Sequence, residues 1–402
     1  MEKKRKNVLI ISHYFWPEDF KINELALGLS QKYNVTVLTG EPSYPSKNHF
    51  KKFDNNNQNK RIKIYRVPVF KRNNSNLSIF LNYLTFLFSL PIFGLFFLKK
   101  KKFNFIFVYQ PSPITVGIAG IIIKYFKKCK LAIWVNDLWP DNVDYVNLTI
   151  LKKLKFLFRL ITNFIYKNSD YILVQSNGFK KKIKNSNFKK KIFFFPNWID
   201  TTNYKKKTID SKKINILRSR NFKIMYIGNI GYSQDFVGVI KILKKVKTKC
   251  LDFKFIIIGD GRDKEKIIKD IKNSNLEENV VFFGRVKKEY IKNFSKFSDI
   301  LFLSLKKNKL FEVTIPAKLQ TYLSLNKPIF GLISGEASKL IINLNCGITV
   351  NSGNYNKAST RIIDIIKNKK ILRQFTKNDK ISYRKKFLFK NIISDLDIFI
   401  NQ

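Results

Sequence analysis

The chain is poor in the residues that build disulfide frameworks and zinc sites. Its 402 residues include only three cysteines and two histidines. The cysteines, Cys129, Cys250 and Cys346, are widely spaced and form no CxxC pair, so neither a disulfide scaffold nor a zinc site is predicted. We expect reduced thiols in the core of a cytosolic protein.

Acidic residues are also scarce, since 28 Asp and Glu stand against 77 Lys and Arg, for a formal net charge of +49. This surplus predicts an anionic partner, such as nucleic acid, acidic lipid or a phosphorylated small molecule. The chain also favours Lys, Asn, Ile and Phe throughout, as AT-rich coding would produce. The charge alone therefore does not choose the partner. A hydrophobic content of 45% nevertheless excludes a disordered chain.

Two phosphate-binding fingerprints are missing from the sequence. No GxxxxGK[ST] pattern occurs, and Gly259-Asp260-Gly261 lacks the third glycine of the dinucleotide fingerprint. A nicotinamide enzyme is therefore disfavoured. A nucleic-acid-binding protein has only charge in its favour, because no recognition motif of a known module is present, and we expect no specific nucleic acid partner.

Short apolar runs alternate with amphipathic stretches, a pattern typical of parallel sheets covered by helices. The predicted strands of the first half cover residues 8–12, 35–39, 105–109, 131–135, 171–175 and 192–195. Those of the second half cover residues 223–228, 253–258, 280–283, 300–305, 328–332 and 348–350. This alternation predicts two tandem, doubly wound α/β domains facing across a cleft, with ligands at the carboxyl ends of the strands.

A polar, Lys-rich stretch without periodicity separates the two series. It predicts an N-terminal domain over residues 1–200, a linker over 201–221 and a C-terminal domain over 222–380. The last residues, 381–402, are expected to form a helix that packs back toward the first domain.

Two segments invite comparison with membrane-binding sequences. Residues 77–98 contain no charge and have basic flanks on both sides, which favours a helix lying in the membrane interface over a spanning or a fully buried one. Residues 151–167 interleave Lys and Arg with Leu, Phe and Ile, as suits an anionic headgroup surface. An ordinary amphipathic helix with a solvated basic face is the alternative for the second segment.

Gly228-Asn229-Ile230-Gly231 directly follows the first strand of the second domain and precedes a helix. Glycines at this position let backbone N–H groups approach a phosphate at the helix N-terminus. A tight turn without a ligand is the alternative.

A second constellation combines an acid, a cation and an amide near one helix. Glu312 is predicted in a loop, Pro316 can open a helix, and Lys318 and Gln320 fall on its first turns. Gly335-Glu336 follows the next strand and would also reach the edge of the cleft. The arrangement suits a sugar attached to a diphosphate, and a capped surface helix is the alternative.

The stretches HYFWPEDFKINELALGL, NDLWPDNV, FPNWID, YIGNIGYSQDF and FEVTIPAKLQTYLSLNKPI occur in this order. With them the chain resembles family 4 glycosyltransferases of the GT-B fold, in particular the bacterial subgroup that transfers L-fucosamine or other fucose-type sugars in O-antigen and exopolysaccharide assembly. The resemblance implies a retaining transferase that needs no metal or other cofactor. Its nucleotide-sugar donor, expected to be UDP-linked, would be held by the second domain and its acceptor by the first.

Carried over by position, Glu312 matches the first acid of the family's paired-glutamate motif, which contacts the donor sugar. The second acid is replaced by Gln320, which can still hydrogen-bond ribose hydroxyls. Lys318 would neutralise the departing diphosphate, and Tyr232 stands where close relatives often have a basic residue. The residues at the ends of strands complete the predicted donor site: Gly228, Asn229, Gly231, Gly335 and Glu336.

On the acceptor side, Asp137 matches a cleft-lining acid of the family and is a candidate catalytic residue, with a helix cap as the alternative. His13 follows the first strand, where an acceptor would pass, although a hydrogen-bonded core histidine is the alternative. Glu18 and Asn23 complete the predicted acceptor side.

The sequence thus predicts sugar transfer from a nucleotide diphosphate to a lipid-diphosphate-linked oligosaccharide. We expect a peripheral protein on an anionic membrane, at the cytoplasmic face of the bacterial inner membrane. Two alternatives stay open: a nucleotide-sugar 2-epimerase of the same architecture, and a basic membrane- or nucleic-acid-binding protein without catalysis.

Overall fold

The computed structural model describes residues 5–43, 61–73, 75–145, 152–184, 191–199, 209–250, 252–376 and 385–402. The chain forms two compact units. The first comprises Met1–Pro196 together with Lys390–Gln402, and the second comprises Asn197–Phe389.

The first unit holds a parallel sheet of seven strands in the order β3-β2-β1-β4-β5-β6-β7. The strands are β1 (Asn7–Ser12), β2 (Asn34–Gly40), β3 (Ile62–Val67), β4 (Phe105–Gln110), β5 (Lys130–Val135), β6 (Tyr171–Val174) and β7 (Ile192–Phe194). Near-continuous apolar sequences such as FIFVYQ in β4, which is buried throughout, suit strands covered by helices on both faces.

The sequence predicts six of these strands and misses β3. This strand lies at the edge of the sheet and pairs only with β2, from Val35↔Ile62 to Gly40↔Val67. Its sequence, IKIYRV, carries the exposed Lys63, because an edge strand needs less apolar surface than a central one.

Up to Pro196, the described residues of the first unit contain these helices: α1 (Lys21–Leu29), α2 (Asn76–Leu98), α3 (Val116–Lys127), α4 (Lys155–Asn168) and α5 (Asn177–Lys184). The uncharged segment predicted over 77–98 forms most of α2, and it is the one helix among the described residues that is long and apolar enough to cross a membrane. Most of the segment predicted over 151–167 forms α4, while residue 151 lies outside the described residues.

The second unit holds a parallel sheet of six strands in the order β10-β9-β8-β11-β12-β13. All six occur where the sequence predicts them: β8 (Phe222–Ile227), β9 (Phe253–Ile258), β10 (Val280–Gly284), β11 (Ile300–Ser304), β12 (Ile329–Leu332) and β13 (Gly347–Val350). Phe255, Phe302 and Phe330 meet in its core, with ring centroids 5.4 and 5.7 Å apart.

The remaining helices are α6 (Ser211–Arg218), α7 (Phe236–Lys247), α8 (Lys264–Lys272), α9 (Ile291–Ser295), α10 (Lys309–Val313), α11 (Ala317–Ser324), α12 (Glu336–Asn343), α13 (Tyr355–Lys367), α14 (Arg373–Thr376) and α15 (Phe389–Asn401). Helix α6 lies inside the stretch predicted as a linker, of which residues 201–208 lie outside the described part. Asp210 caps it by accepting from the backbone N–H of Lys212 at 3.1 Å, and Leu217 is buried beneath it.

From Lys390 onward, α15 belongs to the first unit. The ring of Phe399 lies 4.7 Å from that of Phe193, and Asn401 donates a hydrogen bond to the hydroxyl of Tyr33 at 3.2 Å. Residues 381–384 of the predicted terminal helix lie outside the described residues.

Each sheet grows from a central first strand, to one side and then to the other. The direction changes between β1 and β4 in the first sheet and between β8 and β11 in the second. Loops that leave neighbouring strands in opposite directions open a crevice at such a switch point, where ligands bind in doubly wound sheets.

Candidate active site

At the switch point of the second sheet, Gly228 directly follows β8 and has φ of +142°, which side chains other than glycine rarely adopt. A Cβ atom at this position would lie 2.5 Å from Cε of Lys318. Glycine is therefore required both for the backbone conformation and for the approach of the lysine.

A second glycine loop supports this turn from behind. A Cβ atom on Gly259 would lie 1.9 Å from the carbonyl oxygen of Gly228, and one on Gly261 would lie 2.0 Å from that of Ile230. The backbone N–H of Ile230 donates to the carbonyl of Asp260 at 2.9 Å. These glycines therefore serve close packing of two backbone turns.

Lys318, on the first turn of α11, reaches across to β8. Its ammonium donates a hydrogen bond to the hydroxyl of Tyr226 and lies 3.9 Å from the centroid of that ring. The Tyr226 hydroxyl in turn donates to the carbonyl oxygen of Asn229. The predicted donor residues Gly228, Asn229 and Lys318 are thus brought together, and Tyr226 is a member of the cluster that the sequence analysis missed.

Burial lowers the pKa of Lys318 to about 7. Among the described residues, no carboxylate lies within ion-pair distance of its ammonium. An anion placed here would favour the charged form of the lysine, so the cluster is chemically suited to a phosphate group.

Tyr322 holds α11 against the two strands of the switch point. Its hydroxyl accepts from the backbone N–H of Ile227 at 2.8 Å and donates to the carbonyl of Phe302 at 2.9 Å. Because these residues belong to β8 and β11, the position of Lys318 is set by both strands.

Gly231 is half-buried, and a Cβ atom there would lie 3.0 Å from Nδ2 of Asn229. Beyond it, the exposed ring of Tyr232 carries the ammonium of Lys306 3.3 Å from its centroid. Lys306 lies just after β11, and its backbone N–H donates to the carbonyl of Ser233 at 3.0 Å. A basic group thus stands beside the glycine turn although residue 232 is a tyrosine.

Glu312 lies in the short helix α10, and its prediction in a loop is wrong. The side chain of Asn308 caps this helix by accepting from the backbone N–H of Leu310 at 2.7 Å, a local signal that the sequence analysis overlooked. Gly335, with φ of +71°, follows β12, and its Cβ would lie 1.9 Å from the carbonyl oxygen of Glu312. Glu336, the first residue of α12, is therefore held close to the backbone of α10.

Gln320 is buried within the first turn of α11 rather than presented on it. With its amide nitrogen facing these groups, it donates to the carbonyl oxygens of Pro316 at 2.8 Å and Ala317 at 3.1 Å. A glutamate could not donate these hydrogen bonds when ionised. The amide at position 320 thus secures the start of the helix that carries Lys318.

In the first unit, Asp137 follows β5 and is partly buried. Ser112 donates to its Oδ2 atom at 2.7 Å, and the indole of Trp139 donates to the same serine at 3.2 Å. Burial raises the pKa of Asp137, and the hydrogen bond from Ser112 opposes this effect.

His13 lies at the switch point of the first sheet and is buried among aromatic rings, with Phe86 at 4.0 Å and Tyr14 at 4.4 Å between centroids. Its Nε2 atom is hydrogen-bonded to Asn82 at 3.0 Å. Burial lowers its pKa to about 3, so the ring is neutral at physiological pH. The arrangement matches that of a hydrogen-bonded core histidine.

Glu18 and Asn23 hold one loop of the first unit. Glu18 accepts from the backbone N–H groups of Phe15 at 3.2 Å and Ser43 at 2.9 Å. Asn23 accepts from the N–H of Trp16 at 3.0 Å and donates to the carbonyl of Glu18 at 2.6 Å. Asn23 therefore holds the loop between β1 and α1, and Glu18 joins this loop to the backbone that follows β2.

Comparison with known proteins adds to this geometry. Residues 207–381 match the family model for Glycosyl transferases group 1. This segment is similar to the domains that define that family. A curated relative in Campylobacter jejuni, N-acetylgalactosamine-N,N'-diacetylbacillosaminyl-diphospho-undecaprenol 4-alpha-N-acetylgalactosaminyltransferase, is 26% identical over 185 residues, or 45% of this chain and 46% of the relative. The chain spans about half the length of the curated relatives it matches.

Solved structures resemble the whole chain. Sucrose-phosphate synthase from Thermosynechococcus elongatus has a TM-score of 0.76 at 14% identity, with 99% of each chain covered. HepE of Anabaena in complex with UDP-glucose has a TM-score of 0.69 at 13% identity, covering 98% of this chain and 99% of that one. The prediction of a GT-B fold is therefore confirmed, and the prediction of a glycosyltransferase agrees with the family match over residues 207–381. The matches do not single out the fucosamine-transferring subgroup.

The segment matched by the family model contains all the residues predicted for the donor, together with Glu312 and Lys318. Two of its clusters are defined by direct packing: the glycine turn with Lys318 and Tyr226, and the backbone of Glu312 with Gly335. Within the described part of the chain, no group of three or more His, Cys, Asp or Glu could hold a metal ion.

Proposed function

We propose that the protein is a retaining glycosyltransferase. It transfers a sugar, an N-acetylated amino sugar or a fucose-type sugar, from a UDP-linked donor to a lipid-diphosphate-linked oligosaccharide in O-antigen, capsule or exopolysaccharide synthesis. Two comparisons support these choices. The Campylobacter jejuni relative is named for a diphospho-undecaprenol-linked acceptor, and the HepE structure contains UDP-glucose.

One observation carries the proposal: the Lys318 ammonium lies beside the glycine turn at the switch point of the second sheet. It contacts the ring of Tyr226, and no carboxylate of the described residues lies within ion-pair distance of it. In the proposed reaction, the bond between the sugar carbon and the diphosphate oxygen breaks. The acceptor hydroxyl oxygen forms the new bond to that carbon, and its proton leaves with the nucleoside diphosphate. Negative charge develops on the departing oxygen, where a prepositioned cation is most effective.

The other residues take roles that their positions support. Glu312 and Glu336 contact the donor sugar near the reacting carbon, while Gly228, Asn229 and Gly231 present backbone groups to the diphosphate. Asp137 acts on the acceptor side. Because Lys318 supplies the positive charge, we propose that no metal is required. We therefore expect the same transfer activity in the presence and in the absence of EDTA.

The proposed location is the cytoplasmic face of the bacterial inner membrane, with the protein peripherally attached. A lipid-linked acceptor requires contact with a membrane. Fractionation of cells should place the full-length protein with inner membranes and release it at high salt.

The proposed function is tested first by thermal unfolding with UDP, GDP, ADP and CMP. A ligand at about 100 times its dissociation constant stabilises a protein by about 2.7 kcal/mol, which gives a clear rise in midpoint. We expect UDP to give this rise in the wild type and not in Lys318→Ala. Lys339→Ala, which removes an exposed lysine on α12 of the same domain, is the control and should retain it. No rise with any nucleotide would overturn the donor assignment.

Transfer itself is tested with labelled UDP-N-acetyl sugars and a prenyl-diphosphate-linked sugar. Label should move to the lipid fraction. Conversion of the soluble nucleotide sugar to its epimer without any lipid would instead establish the epimerase alternative.

A further inference from the structure

Helices α2, α3 and α4 form a continuous layer on the first unit. Helix α3 packs against both of the others. Hydrogen bonds tie their ends together. Lys127 donates to the carbonyl of Lys99 at 3.1 Å, and the hydroxyl of Tyr125 donates to the side chain of Asn168 at 2.7 Å. This three-helix face is therefore one surface, although the sequence analysis treated its first and last helices as separate segments.

The inner side of α2 is an integral part of the first unit. Phe86, Leu90 and Leu98 are fully buried, and the approach at Gly94 is so close that a Cβ there would lie 2.7 Å from Leu38. Asn82 is bonded to His13. Crossing a bilayer would uncover β2 and β3, against which α2 packs, so in this fold the helix lies along the surface.

The outer side of the three-helix face exposes large apolar side chains. The most exposed large apolar residue of each helix is aromatic: Phe96 on α2 is 75% exposed, Phe126 on α3 69% and Phe156 on α4 70%. Others on the same helices share this exposure, namely Leu77, Phe80, Leu84, Phe88, Ile92, Phe93, Tyr125, Leu157, Leu160 and Phe164. Soluble monomers rarely expose apolar side chains in such numbers side by side, and such patches mark interaction sites.

Positive charges predominate around this face, although Asp170 pairs with Lys124 of α3 and Asp144 pairs with Lys155 of α4. None of the three helices contains an Asp or Glu. Exposed lysines follow α2 at Lys99, Lys100 and Lys102 and follow α3 at Lys128, and two more precede α4. Exposed aromatic rings with a basic rim are complementary to a lipid interface that carries negative charge.

We propose that the three-helix face docks on an anionic phospholipid bilayer, with the axis of α2 in the plane of the membrane interface. Membrane docking is argued from the exposed residues alone; only its link to a lipid-linked acceptor rests on the proposed function. It adds α3, with Tyr125 and Phe126, to the membrane-contacting elements, and it makes residues 77–98 an interfacial helix.

The test is co-sedimentation of the full-length protein with vesicles of phosphatidylcholine alone or mixed with phosphatidylglycerol, at low and high salt. We expect binding to the mixed vesicles that falls steeply with salt. Replacing Lys99, Lys100 and Lys102 by Glu should weaken partitioning by roughly a hundredfold or more, since each lysine near an anionic surface contributes to binding. The matched control reverses three exposed lysines of α8, Lys266, Lys269 and Lys272, and should bind like the wild type.

The apolar contribution is tested with Phe96→Ser, Phe126→Ser and Phe156→Ser combined. The control combines Leu27→Ser, Ile342→Ser and Ile398→Ser, which are exposed apolar residues on other helices. Only the first variant should lose vesicle binding, and both should unfold near the wild-type midpoint because the replaced residues are exposed.

Equal binding to both vesicle types, or equal loss in test and control variants, would overturn the proposal. Sedimentation velocity without lipid checks a second copy of the chain as the occupant. Self-association that the phenylalanine variant abolishes would assign the face to a dimer and overturn the membrane assignment. Vesicle binding needs no nucleotide, so its failure with an intact UDP response would leave the proposed transferase standing.

Discussion

His13 directly follows the first strand of the first unit, and Lys318 contacts the first strand of the second. Burial lowers the pKa of both side chains, to about 3 for His13 and to about 7 for Lys318. Their surroundings differ. His13 is enclosed by aromatic rings and bonded to Asn82, whereas Lys318 lies over a glycine turn with a tyrosine as its neighbour. The two switch points share one architecture, but their buried basic residues differ in role. His13 is part of the core of its unit, whereas Lys318 is left available to bind an anion.

The same contrast extends to the acids. Glu18 in the first unit accepts from two backbone N–H groups, that of Phe15 in its own loop and that of Ser43 after β2, while Glu312 in the second lies on a short helix against the backbone of Gly335. The comparison teaches that a polar residue after a strand is informative about function only when its hydrogen bonds are not already used within the fold.

The largest expected effect is on turnover. Glu312→Gln should lower kcat by about a thousandfold, because removal of one group that stabilises a transition-state charge costs about 100 to 1,000-fold or more. The UDP-dependent rise in midpoint should persist, since the nucleotide is held elsewhere. Initial rates of sugar transfer measure this effect.

Asp137→Asn in the first unit is the comparison for Glu312→Gln. We expect its main effect on the KM for the acceptor, because Asp137 lies in the other unit. A near-normal rate in Glu312→Gln, or an equal loss of kcat in both variants, would remove the catalytic distinction between the two acids.

The next effect concerns the charge on Lys318. Lys318→Met keeps the apolar stem and removes the ammonium, so the affinity for UDP should fall about 10 to 100-fold, as for loss of a hydrogen bond to a charged group worth about 1.5 to 3 kcal/mol. Titration calorimetry measures the affinity. An unchanged affinity would show that the diphosphate binds elsewhere.

The same variant predicts a change in the pH dependence of stability. Between the folded pKa of about 7 and the usual 10.5, the unfolded chain binds a proton that folded Lys318 does not, so this residue makes stability rise with pH over that window. This contribution should be absent in Lys318→Met. Urea unfolding of both proteins at a series of pH values measures it. A slope equal to that of the wild type would contradict the burial of a low-pKa lysine.

A smaller effect separates backbone strain from the approach of the lysine. Gly228→Ala and Gly284→Ala both place a side chain at positive φ, but nothing lies within 4 Å of a Cβ at Gly284, whereas Lys318 lies 2.5 Å from one at Gly228. Each should lose about 1 to 3 kcal/mol of stability from strain. Only Gly228→Ala should also weaken UDP binding. Equal affinity for UDP in the two variants would show that the glycine turn is not part of the donor site.

A second pH dependence of stability, in the acid range, is expected at His13. Its folded pKa of about 3 lies below the usual 6.5, so stability is complete above pH 6.5 and falls as pH drops toward 3, by about 1.4 kcal/mol per pH unit within that window. His13→Phe should flatten this slope in urea unfolding between pH 6 and 4. A slope unaffected by the substitution would contradict a neutral, buried ring.

The strands of the second sheet were predictable because each is a short apolar run bounded by polar or glycine residues. Edge strand β3 was not, since its mixture of charged and apolar residues resembles a loop. Helix α10 was missed because its five residues are too few to show periodicity, although Asn308 is a capping signal.

The donor cluster was predictable in its chain-local parts, the glycine turn and the lysine on the following helix. Its tyrosines were not, because Tyr226 and Tyr322 lie 92 and 95 positions from the residues they bond, Lys318 and Ile227. Nothing local in the sequence marks a strand tyrosine as the neighbour of a lysine on a distant helix. Lys306 was hidden for the same reason, since it meets Tyr232 only through the adjacency of β8 and β11.

The sequence by itself determined the alternation of strands and helices, the excess of positive charge and the uncharged segment 77–98, because these depend on residue types and their spacing along the chain. Tertiary structure alone decided which polar groups are already used within the fold. It buried Gln320 and His13, placed Lys318 beside Tyr226, and joined three helices into one exposed aromatic face. Burial and hydrogen-bond partners arise from contacts between residues far apart in the chain, and strand order brings those residues together.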